Sequence, residues 1–259
     1  MDAIIYTLVA ILGLCVGSFL NVVIYRVPEG MSVAFPSSHC PKCGYNLRWY
    51  DNIPILSYLI LGCKCRKCRE HISIRYTLVE IANMLLWLLS AILFWKESIV
   101  YACVAMIASS VLICIFFIDL EHMLIFNRFT LTIVALGLVA MFFDSYTTIL
   151  DHVIGGASGA LVFVGLYFGS ILVLKKEGFG WGDVKLVAAA GLLLGWQKLV
   201  LSMLIASVSA CIVLLLVKLI NKDENGKEYP FAPFIVAGIM TSLLVGEPII
   251  TWYMNLILG

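Results

Sequence analysis

Long apolar runs separated by short polar breaks fill most of the chain. Runs close to the roughly 20 residues that cross a bilayer occupy 3–25, 77–95, 98–118, 123–143, 152–174, 183–196, 198–220 and 232–257, the sixth being the shortest. Such runs predict helices, because a helix satisfies its own backbone in lipid. Barrel strands would read as short alternating segments instead. One long polar stretch, 26–76, interrupts the pattern. The expected fold is an all-α polytopic membrane protein of about eight transmembrane helices, with a small insertion between the first and second. The domain reading is 1–25 as the first transmembrane helix, 26–76 as the insertion and 77–259 as a membrane domain.

Composition agrees. Hydrophobic residues make up 62% of the 259 and charged residues 13%, against about 45–50% and about 25% in soluble domains. These proportions exclude disorder, collagen and coiled coil. A net charge of +1 gives no bulk attraction to nucleic acid. The first run opens Met1-Asp2 without a basic segment, so it reads as an anchor rather than a cleaved signal.

The placement of charge sets an orientation. Eight of the 17 basic residues lie between Arg26 and Arg75. Cytoplasmic loops carry the excess of Lys and Arg, so this stretch is expected inside and the N-terminus outside. Counting eight spans onward puts Lys175, Lys176, Lys218, Lys222 and Lys227 on the same side and leaves only Lys96 and Lys198 outside. Omitting the short sixth span would move Lys218, Lys222 and Lys227 outside, which argues for keeping it.

Four of the nine cysteines, Cys15, Cys103, Cys114 and Cys211, sit within apolar runs and are expected to pack. The insertion contains two C-x-x-C knuckles, Cys40/Cys43 and Cys65/Cys68. Their spacing suits a tetrahedral S₄ zinc site. Four protein ligands leave no open position, so a structural zinc is expected, with a redox pair or plain packing as the alternatives. Cys63 is a possible competitor of Cys65, and His39 and His71 are reserve ligands.

Acidic residues at membrane spans are costly and usually functional. Asp119 ends the third run and Asp183 opens the sixth, after Gly178, Gly180 and Gly182. Eight-span counting places both at the cytoplasmic ends of their helices. Two carboxylates at one depth suit aspartyl proteolysis, one charged to activate water and one protonated to polarise the scissile carbonyl. Otherwise both are helix-end residues, with Asp183 as an N-cap. Glu80 either pairs with Arg75 or serves a site. His39, His71, His122 and His152 lack ligand spacing with one another and are expected at the interface, and 222–228 reads as a solvated loop.

The motifs together resemble the bacterial type IV prepilin peptidases. Gly17–Arg26 is similar to that family's opening motif. The two knuckles resemble its metal-binding segment, and Ile72–Glu80 the stretch that follows. Asp119 matches the first catalytic aspartate. Gly180-Trp181-Gly182-Asp183 matches the G-x-G-D motif, continued by Lys185-Leu186, and Pro230–Phe234 resembles the last motif. Phe126, Asn127, Thr77 and Ala232 depart from the usual residues, which are Pro, an acidic residue, Pro and Gly. The resemblance implies a bacterial inner-membrane enzyme that cuts the basic leader of prepilins or pseudopilins after a Gly, at the cytoplasmic face. It then implies N-methylation of the new terminus with S-adenosylmethionine. A peptidase without the methyltransferase is the alternative within the family. A zinc-binding transporter or scaffold is the alternative outside it, and would leave the G-x-G-D segment without a role.

Overall fold

The computed structural model describes residues 2–175, 180–220 and 229–258. Gly178, Lys176 and the expected loop 222–228 lie outside the described residues. Among those described, the chain is helical. The elements are α1 (Asp2–Arg26), α2 (Leu56–Ile60), α3 (Arg75–Phe94), α4 (Ile99–His122), α5 (Asn127–Phe143), α6 (Ile149–Leu174), α7 (Trp181–Leu194), α8 (Trp196–Ile220) and α9 (Ala232–Leu258), with a 3₁₀ turn at Trp49–Asn52.

The helices α1, α3, α4, α6, α8 and α9 are long and apolar enough to cross a membrane. The other two long helices are shorter: α5 has 17 residues and α7 has 14. At 1.5 Å per residue they reach about 26 and about 21 Å, below the ~30 Å hydrocarbon core. The expected run of about eight spans therefore resolves into six full-length helices and two short ones.

Local sequence sets the helix ends. Ser98 caps α4 by accepting from the Tyr101 N–H at 3.2 Å. Thr148 and Asp151 form a reciprocal capping box at the start of α6. Met123, in the left-handed region at φ 52°, ends α4 by donating its N–H to the Asp119 carbonyl at 2.9 Å.

The chain forms two compact units, Met1–Leu93 and Phe94–Gly259. In the first, buried amides join α1 to α3. Asn83 Nδ2 donates to the Gly13 carbonyl at 2.7 Å, and Asn21 Nδ2 to the Tyr76 carbonyl at 3.0 Å. In the second, the short α7 is central and packs on α5, α6, α8 and α9. Its approach to α6 is extreme: a Cβ on Gly191 would lie 2.2 Å from the Gly155 carbonyl oxygen. A carboxylate near the start of α7 is thus carried on a helix braced from several sides.

Candidate active sites

In the second unit the structure brings Asp119 and Asp183 together. Asp119 lies in the last turn of α4. Asp183 is the third residue of α7, whose N-cap is Gly180 in an extended conformation. Asp183 is therefore not the N-cap itself; its carboxyl accepts the Gly180 N–H, as in half of a capping box. The Asp119 carboxyl accepts the N–H of Ala232, the first residue of α9. The two side chains are close enough to interact electrostatically. Asp119 is 5% exposed and Asp183 9%. Asp119 Oδ2 is buried and has no protein hydrogen-bond partner. Two shielded carboxyls, each held by one backbone N–H and one with an oxygen left over, can bind a water or a carbonyl between them.

The flanking motif residues act locally. A Cβ on Gly182 would sit 3.0 Å from Cβ of Ile125, so the α4–α5 connection leaves no side-chain room there. Lys185 Nζ donates to Asn127 Oδ1 at 3.0 Å.

The first unit holds the thiols. The Sγ atoms of Cys40, Cys43, Cys65 and Cys68 lie within 4.8 Å of one another. Cys40–Cys68 is 3.8 Å and Cys43–Cys65 4.0 Å. A tetrahedron with Zn–S bonds of ~2.3 Å has edges of about 3.8 Å, so the donor set fits a zinc ion. The knuckles are built alike. Cys40 N–H donates to the Tyr45 carbonyl and Gly44 N–H to the Cys40 carbonyl; Cys65 N–H donates to the Glu70 carbonyl and Arg69 N–H to the Cys65 carbonyl. Antiparallel bridges, His39–Asn46 and Lys64–His71, close each one. Gly44 and Arg69 occupy the same left-handed position, φ 68° and 59°. Backbone N–H groups of Cys68 and Lys67 bring the Cys65 thiol down to about 7. The Glu70 N–H would lower Cys68, but burial and shared hydrogen bonds with Cys43, Cys65 and Cys40 prevail and push it up to about 12. Cys63, His39 and His71 are outside this cluster.

Asp51 ties the knuckles together. It pairs with Arg66, between the second pair of thiols, at 2.7 Å, and accepts from Tyr45 OH and the Arg48 N–H, both at 3.3 Å. Burial works against ionisation, but these donors outweigh it and hold the carboxyl below the usual carboxylate range. Motif spacing does not single out Asp51; its position as the one acid between the two knuckles is the available sequence signal. Glu80 is 7% exposed. Its carboxyl accepts the Ile55 N–H at 2.9 Å and the Ser18 hydroxyl.

Other polar residues stand differently from expectation. His152 is fully buried, not interfacial, with its ring against Thr147 Oγ1 at 2.7 Å and the Leu192 carbonyl at 2.9 Å. Lys198 is not in a loop: it lies in the first turn of α8, 3% exposed, 3.2 Å from Asp144. Cys114 is buried as expected, whereas Cys15, Cys103 and Cys211 lie on exposed surface.

Residues 11–94 match the model of the bacterial peptidase A24 N-terminal domain, and residues 106–215 that of the type IV leader peptidase family. Relatives named prepilin leader peptidase/N-methyltransferase include one from Aeromonas salmonicida, 34% identical over 98% of this chain and 95% of its own length. Another, from Pseudomonas aeruginosa, is 34% identical over 95% and 92%. A third, from Myxococcus xanthus, is 38% identical over 85% and 67%. No solved structure matches.

Proposed function

This chain belongs to the type IV leader peptidase family, and we propose that it is an integral-membrane aspartyl endopeptidase that removes the basic leader of type IV prepilins or pseudopilins after a Gly. It then methylates the new N-terminal residue with S-adenosylmethionine. The observation that carries the reading is the buried Asp119–Asp183 pair, each carboxyl held by one backbone N–H.

The cut proceeds through these two side chains. Close carboxyls share one proton. The ionised member takes a proton from water, and the protonated member donates to the scissile carbonyl. The unpartnered Asp119 Oδ2 is the free position for one of these contacts. Lys185 and Asn127 tie the start of α7 to α5 beside the pair, and Gly182 lets the α4–α5 connection lie close against it. Glu80 is assigned to methyl transfer rather than to cleavage.

The cysteine cluster is assigned a structural zinc. Its four thiolates leave no open position for substrate, so its part is to hold the 26–76 segment in shape. The proposed organisation is a first transmembrane helix at 1–25, the zinc-binding segment at 26–76 and a peptidase domain at 77–259. Charge placement supports an N-terminus outside the bacterial inner membrane and a catalytic pair facing the cytoplasm.

The test is purified protein with a synthetic prepilin leader peptide and S-adenosylmethionine, read by mass spectrometry. Loss of the leader and gain of one methyl group appear as separate mass changes. A product cut but never methylated would select the peptidase-only reading, and an uncut peptide would overturn the proposal.

A further inference from the structure

The polar insertion contains one apolar run of its own, from Ile53 to Leu61. Its middle, Leu56–Ile60, is α2. This helix turns its large apolar side chains outward: Leu56 is 55% exposed, Leu59 65% and Ile60 78%. Contiguous exposed apolar surface marks a contact with a protein or a membrane. The run is far too short to cross a bilayer, since a crossing helix needs about 20 residues.

A neighbouring span sets the depth of α2. The helix α3 has 20 residues, Arg75–Phe94, about 30 Å at 1.5 Å each, which is the thickness of a hydrocarbon core. Arg75 therefore lies at one edge of the core, and Glu80, five residues on, about 8 Å inside it. The Glu80 carboxyl accepts the N–H of Ile55, the N-cap of α2, at 2.9 Å. Side chains on a helix lean toward its N-terminus, so this contact falls within the first two turns of α3. The start of α2 is thus held at the boundary of headgroups and acyl chains. Interfacial helices bury their apolar faces about 5–10 Å into that boundary. A water-soluble partner would have to reach α2 through the headgroup layer.

Charge on the insertion fits the same surface. Its eight basic residues stand against three acids, Glu29, Asp51 and Glu70. Arg66 is engaged by Asp51, and Arg26 by the Ser32 and Ser37 carbonyls. Lys42, Lys64, Lys67 and Arg69 are exposed. Basic residues next to an inserted apolar face are drawn to anionic headgroups.

We propose that α2 is an interfacial anchor. Leu56, Leu59 and Ile60 insert among the acyl chains of the leaflet beside Arg26 and Arg75, and the exposed basic residues meet anionic headgroups. On the topology proposed above this is the cytoplasmic leaflet, and the contact itself holds for either orientation. The zinc-binding segment is then fixed to the membrane at a third point, besides the ends of α1 and α3.

The experiment uses the zinc-loaded full chain in nanodiscs of phosphatidylglycerol and a phosphatidylcholine whose acyl chain carries a diazirine. Carbenes released by light insert into whatever touches the acyl chains, and mass spectrometry of tryptic peptides locates the label. Residues 49–64 form one peptide, between Arg48 and Lys64, and residues 76–96, which carry α3, form another. Peptide 49–64 is expected to be labelled at Leu56, Leu59 and Ile60, about as strongly as peptide 76–96. Leu59→Glu with Ile60→Glu is expected to cut that label about tenfold, because charge at this depth is costly, while peptide 76–96 keeps its own. Retained zinc shows that the segment is folded; if the double variant loses zinc, Ile60→Ser takes its place. A parent labelled in 76–96 but not in 49–64 overturns the proposal, and shows α2 covered by water or by protein. Undiminished label on 49–64 in the folded double variant overturns it as well.

Discussion

Lys185 Nζ reaches Asn127 Oδ1 at 3.0 Å, tying the fifth residue of α7 to the first residue of α5. The family resemblance places an acidic residue at Asn127, which would make this contact an ion pair. Asn127→Asp is therefore expected to be tolerated and to raise stability by at most about 1 kcal/mol, the ordinary worth of an exposed pair. Lys185→Met is expected to slow cleavage by loosening the turn that carries Asp183. Thermal unfolding and initial cleavage rates check both.

The two carboxyls share one task, so losing either removes it. Asp119→Asn and Asp183→Asn are each expected to lower cleavage by on the order of a thousandfold, since an amide cannot take up the proton. Both variants should insert and purify normally. The double variant should be no worse than either single one, as for groups that act as a unit. Substantial cleavage by a folded single variant would remove that residue from the mechanism.

Much of this arrangement was open to reading from the chain, because hydropathy marks spans directly and the two aspartates interrupt it. The run at 98–118 stopped just short of Asp119, whereas α4 continues to His122, since a helix does not end where its apolar content does. The partners of the carboxyls were hidden. The donor to Asp119 is a backbone N–H at Ala232, a group that no side-chain identity announces. His152 and Lys198 were misplaced for a related reason. A polar residue in an apolar run looks interfacial until its partner, here Asp144 or the Leu192 carbonyl, is known from the fold.

The paired knuckles make a prediction at Arg69. It holds the left-handed conformation that Gly44 holds in the other knuckle, a state costing a side-chain-bearing residue about 1–2 kcal/mol. Arg69→Gly should keep the metal and slightly stabilise the segment, the gain being offset in part by glycine's looser unfolded chain. By contrast Cys40→Ser or Cys68→Ser should release zinc, and Cys63→Ser should retain it. Elemental analysis of the purified variants reads all four, and zinc lost only on replacing Cys63 would show that the second knuckle was misassigned.

At the far end of α5 and α7 from the aspartates, Lys198 is buried against Asp144. Lys198→Met removes the lysine charge and leaves that carboxylate with the Tyr146 N–H, the Thr147 hydroxyl and the nearby His152 ring, and should cost up to about 3 kcal/mol, the low end for a broken buried pair. Adding Asp144→Asn should recover part of the loss, because the uncompensated charge is gone. Thermal unfolding of the three proteins tests this; equal losses in the single and double variants would show the pair to be unimportant.

Gly191 and Gly155 meet where even one methyl group would overlap a carbonyl oxygen. Gly191 is eight residues beyond Asp183, about 12 Å along the axis of α7. A rigid rod pushed aside at one end tilts at the other, so the alignment of the catalytic carboxyl is set in part by a glycine contact at the opposite end of its helix. A genetic screen for dead enzymes would then recover small-to-larger changes at this crossing as well as at the aspartates. Those alleles would leave every titratable side chain intact and still misaim one of them.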